Sequence, residues 1–262
     1  MQAVRIKTSS LWFNSTVAFL LAGMLAVTFH EVSHLVAGLF LGERATLFPT
    51  AVEFAGDRST SDETITAATG PIFSLVSGLL LMFAGREWGS GFGRLFWMWF
   101  GFMSAQTGFG YLMIAVLARQ GDTGRVLDNL GAPGFVYWLS LAVGVAGMLW
   151  LSRMFAERVV AYTDGSVAAM RAFGIFSWLA GSAVLLLVYA VAVRNLAADL
   201  IFICLLGVFA SGVFAPMFSF FYKKVTVRRT QLALTTPVAG LVCSAALALV
   251  LVLVVAEGIE VG

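Results

Sequence analysis

Seven apolar stretches recur along this chain, and no other feature limits its fold so strongly. They run roughly over residues 15–41, 67–84, 92–117, 133–152, 172–193, 197–222 and 236–256. A spanning helix needs about 20 mostly apolar residues, since hydrocarbon offers no water to a free backbone group. Composition agrees: 60% of the 262 residues are apolar and 11% are charged, where soluble domains carry about a quarter charged residues. Disorder and an ordinary soluble globule are excluded. The expectation is an all-α polytopic membrane protein of about seven transmembrane helices, multi-pass in the cell membrane with the lipid bilayer as its surroundings. A net charge of +2 gives no case for nucleic acid. Cys204 and Cys243 lie in separate apolar runs and offer neither a disulfide framework nor a CxxC metal pair.

Arg5 and Lys7 ahead of the first stretch imitate a signal peptide. At about 27 residues, roughly 40 Å of helix, the stretch is too long for one. It also carries His30, Glu31 and His34 where a cleavable signal has small residues. It reads as a retained helix. Assigning Lys and Arg to alternate sides places 11 with the N-terminus and 5 on the other face, which puts the N-terminus in the cytoplasm. Between the first two spans, runs at 46–54 and 63–67 flank a polar tip at 56–62, predicting a small β-hairpin within 42–68. Phe92, Phe96, Trp97, Trp99 and Phe100 at the start of span 3 have the composition of an interfacial aromatic belt.

The chemistry is concentrated in Phe29-His30-Glu31-Val32-Ser33-His34, which contains His-Glu-x-x-His. Residues four apart stack on one helix face, so His30 and His34 can direct two imidazole nitrogens at one metal ion. Glu31 sits one residue round from His30, within reach of a water at an open coordination position, whose proton a carboxylate can accept. The alternative is a pair of helical histidines satisfied by polar neighbours. The chain has only these two histidines, and ionisable groups at hydrocarbon depth are costly and mark function. Zinc is the expected metal.

A third protein ligand is needed. Glu43, Glu53, Asp57, Asp62 and Glu63 lie in the hairpin region, Asp199 at a span boundary, and Glu257 and Glu260 in the tail. Asp122 follows span 3 directly, in Gly121-Asp122-Thr123-Gly124. Span 1 ends on one face, span 2 crosses away and span 3 returns, so Asp122 shares a face with the end of the HExxH helix. Gly121 and Gly124 offer the backbone freedom for an inward bend. A loop carboxylate or a helix cap before residues 123–130 is the other reading of Asp122.

With these residues in place, the chain resembles the site-2 protease family of intramembrane zinc metalloproteases. That family carries HExxH on one core helix, then a hairpin region, a helix opening with Gly-Pro-x-x-Asn, and a third helix ending in an Asp-Gly motif. The corresponding residues are His30–His34, the hairpin 42–68, Gly70-Pro71-Ile72-Phe73-Ser74 and Gly121-Asp122-Thr123-Gly124, in the same order over residues 15–127. The chain departs from the pattern at Ser74, where the family has asparagine, and at Thr123, where it usually has glycine.

The resemblance implies that residues 1–130 form a metalloprotease-like core. His30, His34 and Asp122 would hold Zn2+, Glu31 would act as the catalytic base, and a membrane protein with a transmembrane helix would be the substrate. Ser74, Gln106 and Thr107 are candidate substrate contacts. Ser74 also belongs to a Gly70, Ser74, Gly78 stripe of small residues suited to close helix packing. The family's metal face is usually cytosolic, whereas the Lys/Arg count places that face outside. Residues 131–262 form a four-helix region, open to packing around the core, shaping substrate access or binding a regulatory membrane partner. A non-catalytic metal-binding transporter or scaffold is the rival reading of the whole.

Overall fold

The computed structural model describes residues 8–85, 88–117, 119, 121–196, 198–228, 230 and 232–262. Arg5, Lys7, Arg86 and Arg229 lie outside the described residues, as does the side chain of Asp199.

The helices are α1 (Thr8–Phe40), α2 (Thr60–Ala84), α3 (Phe92–Ile114), α4 (Asp122–Asn129), α5 (Gly134–Tyr162), α6 (Val167–Met170), α7 (Phe176–Ala192), α8 (Ala198–Ala210) and α9 (Val238–Leu253). The strands are β1 (Ala45–Phe48), β2 (Ala51–Phe54) and β3 (Ile259–Val261). Among the described residues, six helical segments are long and apolar enough to cross a membrane. The chain is an all-α polytopic membrane protein with one small sheet.

The expected seventh span is α3. Its 23 residues match the others in length, but Arg94, Ser104, Gln106, Thr107 and Tyr111 make it less apolar. It tolerates this because it packs between α1, α2 and α5 rather than against lipid.

Small residues bring these helices together. A methyl group on Gly78 of α2 would lie 2.1 Å from the Ala105 backbone nitrogen of α3, and one on Gly101 would lie 2.8 Å from Leu81 Cβ. Without a Cβ at these points the two backbones approach closely and run antiparallel. The aromatic belt expected at span 3 is instead partly core. Trp99 is fully buried, with Phe19 at 5.0 Å, Phe155 at 4.7 Å and Phe102 at 6.2 Å between ring centroids. Its indole N–H donates to Ser15 Oγ at 2.9 Å, and Ser15 donates to the Phe173 carbonyl at 2.8 Å. A buried indole needs such a partner.

The hairpin is tighter than its sequence pattern implied. Both strands fall within 45–54, with Pro49-Thr50 as the turn and Phe48 opposite Ala51. The run at 63–67 is helical. Ser59 caps α2 by accepting from the Asp62 N–H at 3.1 Å, and Asp62 and Glu63 fill the first turn, where carboxylates favour a helix. β3, from the other end of the chain, pairs antiparallel with β1 to give the order β2-β1-β3. The two halves of the chain interlock further, with α5 along α3 and both α7 and α9 against α1.

The span expected at 197–222 is broken. α8 stops at Ala210, and a short 3-10 segment resumes at Ala215–Phe220. Gln106 bridges the break: its amide nitrogen donates to the Ala210 carbonyl at 2.8 Å, and its oxygen accepts from the Phe214 N–H at 3.2 Å. Backbone groups released inside a membrane need such partners.

Candidate metal centre

His30 and His34 occupy successive turns of α1 and are 3% and 7% exposed. Their Nε2 atoms lie 3.2 Å apart. Asp122 Oδ2 lies 3.1 Å from His30 Nε2 and 3.3 Å from His34 Nε2. Among the described residues these three side chains form a group able to hold a metal ion. Four ligands at about 2.0–2.1 Å around a tetrahedral ion stand roughly 3.3 Å from one another, so the triangle has the size of one tetrahedral face.

The outer nitrogens give the triangle its chemistry. His34 Nδ1 lies 2.7 Å from the Thr66 carbonyl. A carbonyl only accepts, so Nδ1 carries the proton and Nε2 presents a lone pair. His30 Nδ1 lies 3.0 Å from Ser74 Oγ, a contact that holds the ring with Nε2 turned towards the same point. Asp122 directs its carboxylate at the same two Nε2 atoms. Two lone pairs and an anion then converge on one point, which is the arrangement a cation satisfies.

Asp122 reaches the imidazoles from the first turn of α4, which packs on α2 and α3. It is the first residue of α4, and the cap position belongs to Gly121, whose φ of −73° is open to any residue. The expected glycine-enabled bend is therefore not what places Asp122. Asp128 instead anchors the far end of α4, accepting from the Tyr137 hydroxyl at 2.5 Å and from Arg119 at 3.2 Å.

Gly70 closes the site from α2. A Cβ there would lie 2.2 Å from His34 Nε2 and 2.7 Å from His30 Cε1, so only glycine lets α2 cross directly over the imidazoles. Thr66, which orients His34, is itself fixed: Arg58 donates to its hydroxyl at 2.7 Å while pairing with Glu43 at 2.7 and 2.9 Å. The hairpin-region acid Glu43 thus supports the site without ligating.

Glu31 is 8% exposed and lines a cavity of about 430 Å3 together with His30. Its carboxylate accepts no hydrogen bond among the described residues. The near wall is formed by Thr50, Ala51, Gln106, Thr107 and Tyr111, and the far wall by apolar residues of α8 such as Leu200 and Ile203. Gln106 and Thr107 therefore face the cavity, although Gln106 is also committed to the break after α8. Ser74 is 1% exposed and sits behind His30, away from the cavity lining. Its hydroxyl meets His30 Nδ1.

Tyr111, Thr66 and Arg58 escaped the sequence reading. Tyr111 stacks on His30 at 4.9 Å with 9° between the rings. A signal for it existed: Thr107 and Tyr111 are two of the few polar positions of α3 and lie four apart, on one face. Nothing in the sequence announces Thr66, which acts through its backbone carbonyl. Comparison with known protein families, characterised proteins and solved structures returns no match for this chain.

Proposed function

We propose that this chain is an intramembrane zinc endopeptidase that hydrolyses a peptide bond in or near a transmembrane segment of a membrane protein, acting in the cell membrane. The observation that carries this reading is the convergence of His30, His34 and Asp122 within 3.1–3.3 Å beside a cavity that exposes the Glu31 carboxylate. Two imidazoles and one carboxylate are a donor set suited to zinc, with His30, His34 and Asp122 as its protein ligands. Zinc bound there would supply Lewis acidity, easing loss of a proton from water and polarising a carbonyl.

The chain's own residues do the remaining work. Glu31 accepts the proton of the attacking water and delivers it to the leaving amine nitrogen. The Thr66 carbonyl holds His34 in one tautomer, and Ser74 holds the His30 ring in place. Tyr111 steadies the His30 ring by stacking on it. The largely apolar cavity wall suits an apolar transmembrane segment as substrate.

A substrate helix has to unwind to expose its carbonyl, and β2 offers an edge for the extended chain. The Ala55 N–H to Arg44 carbonyl bond of 2.9 Å sets the ladder. By alternation, Val52 and Phe54 direct their backbone groups away from β1. A strand added there by β-augmentation would lead to Thr50 and Ala51 at the cavity wall.

Metal analysis of the purified protein together with cleavage of single-pass transmembrane peptides tests the proposal. About one zinc per chain is expected, lost in His30→Ala and His34→Ala. Glu31→Gln keeps the metal and lowers turnover by roughly a hundredfold or more. Full zinc occupancy in both histidine variants would falsify the centre. Turnover within a few-fold of wild type in Glu31→Gln removes the mechanism. A zinc-loaded protein that cleaves none of the peptides favours the non-catalytic metal-binding reading.

A further inference from the structure

On the face opposite the metal centre, α2 and α5 each pack along α3 but scarcely touch one another. A cleft of about 440 Å3 opens between them, lined by Met82, Phe83, Trp150, Arg153, Met154, Glu157 and Arg158. Phe83 and Trp150 meet across it at 5.5 Å and are 60% and 41% exposed. Arg158 donates to the Met82 carbonyl, tying the last turn of α2 to α5. Arg153 is exposed and has neither an ion pair nor a hydrogen bond among the described residues.

We propose that this cleft binds an anionic glycerophospholipid, with its phosphate between Arg153 and Arg158 and its acyl chain against Phe83 and Trp150. Three features select that ligand. Guanidinium groups match phosphate in charge and geometry, and a guanidinium at the end of a spanning helix lies where headgroups lie. The exposed rings adjoin the charged end, as in the interfacial zone where one end of a site is apolar and the other wet. A soluble anion would meet the arginines and leave the rings unmatched. Glu157, in the same lining, accepts a hydrogen bond from a headgroup hydroxyl, which favours a glycerol headgroup. The same membrane face carries Arg94, Arg171, Lys223, Lys224 and Arg228 against the acids Glu157 and Asp164, a positive excess that draws an anion.

Native mass spectrometry of the whole protein tests this with dioleoyl phosphatidylglycerol, dioleoyl phosphatidylcholine and glycerol phosphate as probes. Arg153→Gln is the informative variant, because its exposed side chain supports no part of the fold, and thermal unfolding in phosphatidylcholine checks that it folds. Arg194→Gln, on the metal face, is the control. One phosphatidylglycerol should remain bound per chain in preference to phosphatidylcholine, and Arg153→Gln should weaken it roughly fivefold while Arg194→Gln leaves it unchanged. Equal retention of phosphatidylcholine overturns the charge selection. Equal weakening by both variants shows diffuse attraction and no site. Displacement by glycerol phosphate at comparable concentration makes the ligand a soluble phosphate and overturns the lipid assignment.

Discussion

Gly70 shows how much of the metal centre rests on one missing side chain. Alanine is the better helix former by about 1 kcal/mol, so Gly70→Ala should leave α2 at least as helical. Its methyl group, however, would stand 2.2 Å from His34 Nε2 and 2.5 Å from His34 Cε1, in the space where the three donors converge. Zinc content should fall by more than tenfold in this variant, roughly the cost of a disturbed ligand shell, while circular dichroism stays unchanged. Wild-type zinc content would mean that α2 yields and that the close crossing is dispensable. Ser74, one turn further along, has both qualities read from the sequence. It is small enough for close packing and polar, and its hydroxyl is committed to His30.

At the scale of elements, the segment between α1 and α2 departs most from its sequence pattern. Alternating apolar residues on both sides of a polar tip imitate a long hairpin. Pro49-Thr50 turns the chain earlier, and Ser59 starts a helix where a second strand was expected. Ser59→Ala removes an acceptor from the Asp62 N–H and should lower stability by about 1 kcal/mol, read as a lower thermal midpoint in detergent. An unchanged midpoint would mean that Asp62 and Glu63 hold the helix start unaided. β3 escaped detection because three residues carry no periodicity, and its partner strand lies some two hundred residues away in sequence.

For the whole molecule, the contacts require α1 and α3 to finish on one face. Asp122 after α3 meets the histidines of α1, and β3 after α9 joins the hairpin that follows α1. Asp57, beside that hairpin, and Lys224, in the segment before α9, are both exposed and fall on opposite faces. In a background lacking Cys204 and Cys243, Asp57→Cys and Lys224→Cys should react with an impermeant maleimide from opposite sides of sealed vesicles. Labelling from the same side would break the odd number of crossings between these two positions, of which the α2–α3 pair returns Asp122 to the HExxH face. The sequence alone determined the membrane class, the HExxH pair and the shared face of Asp122. Hydropathy, helix pitch and the parity of crossings are local or additive properties. Tertiary structure alone decided that Tyr111 stacks on His30, that Thr66 and Ser74 meet the imidazoles, and that Gln106 bridges the break after α8. Each of these depends on how a helix is rotated about its own axis. A helix apolar on nearly every side has no polar stripe to set that rotation, so packing against its neighbours sets it.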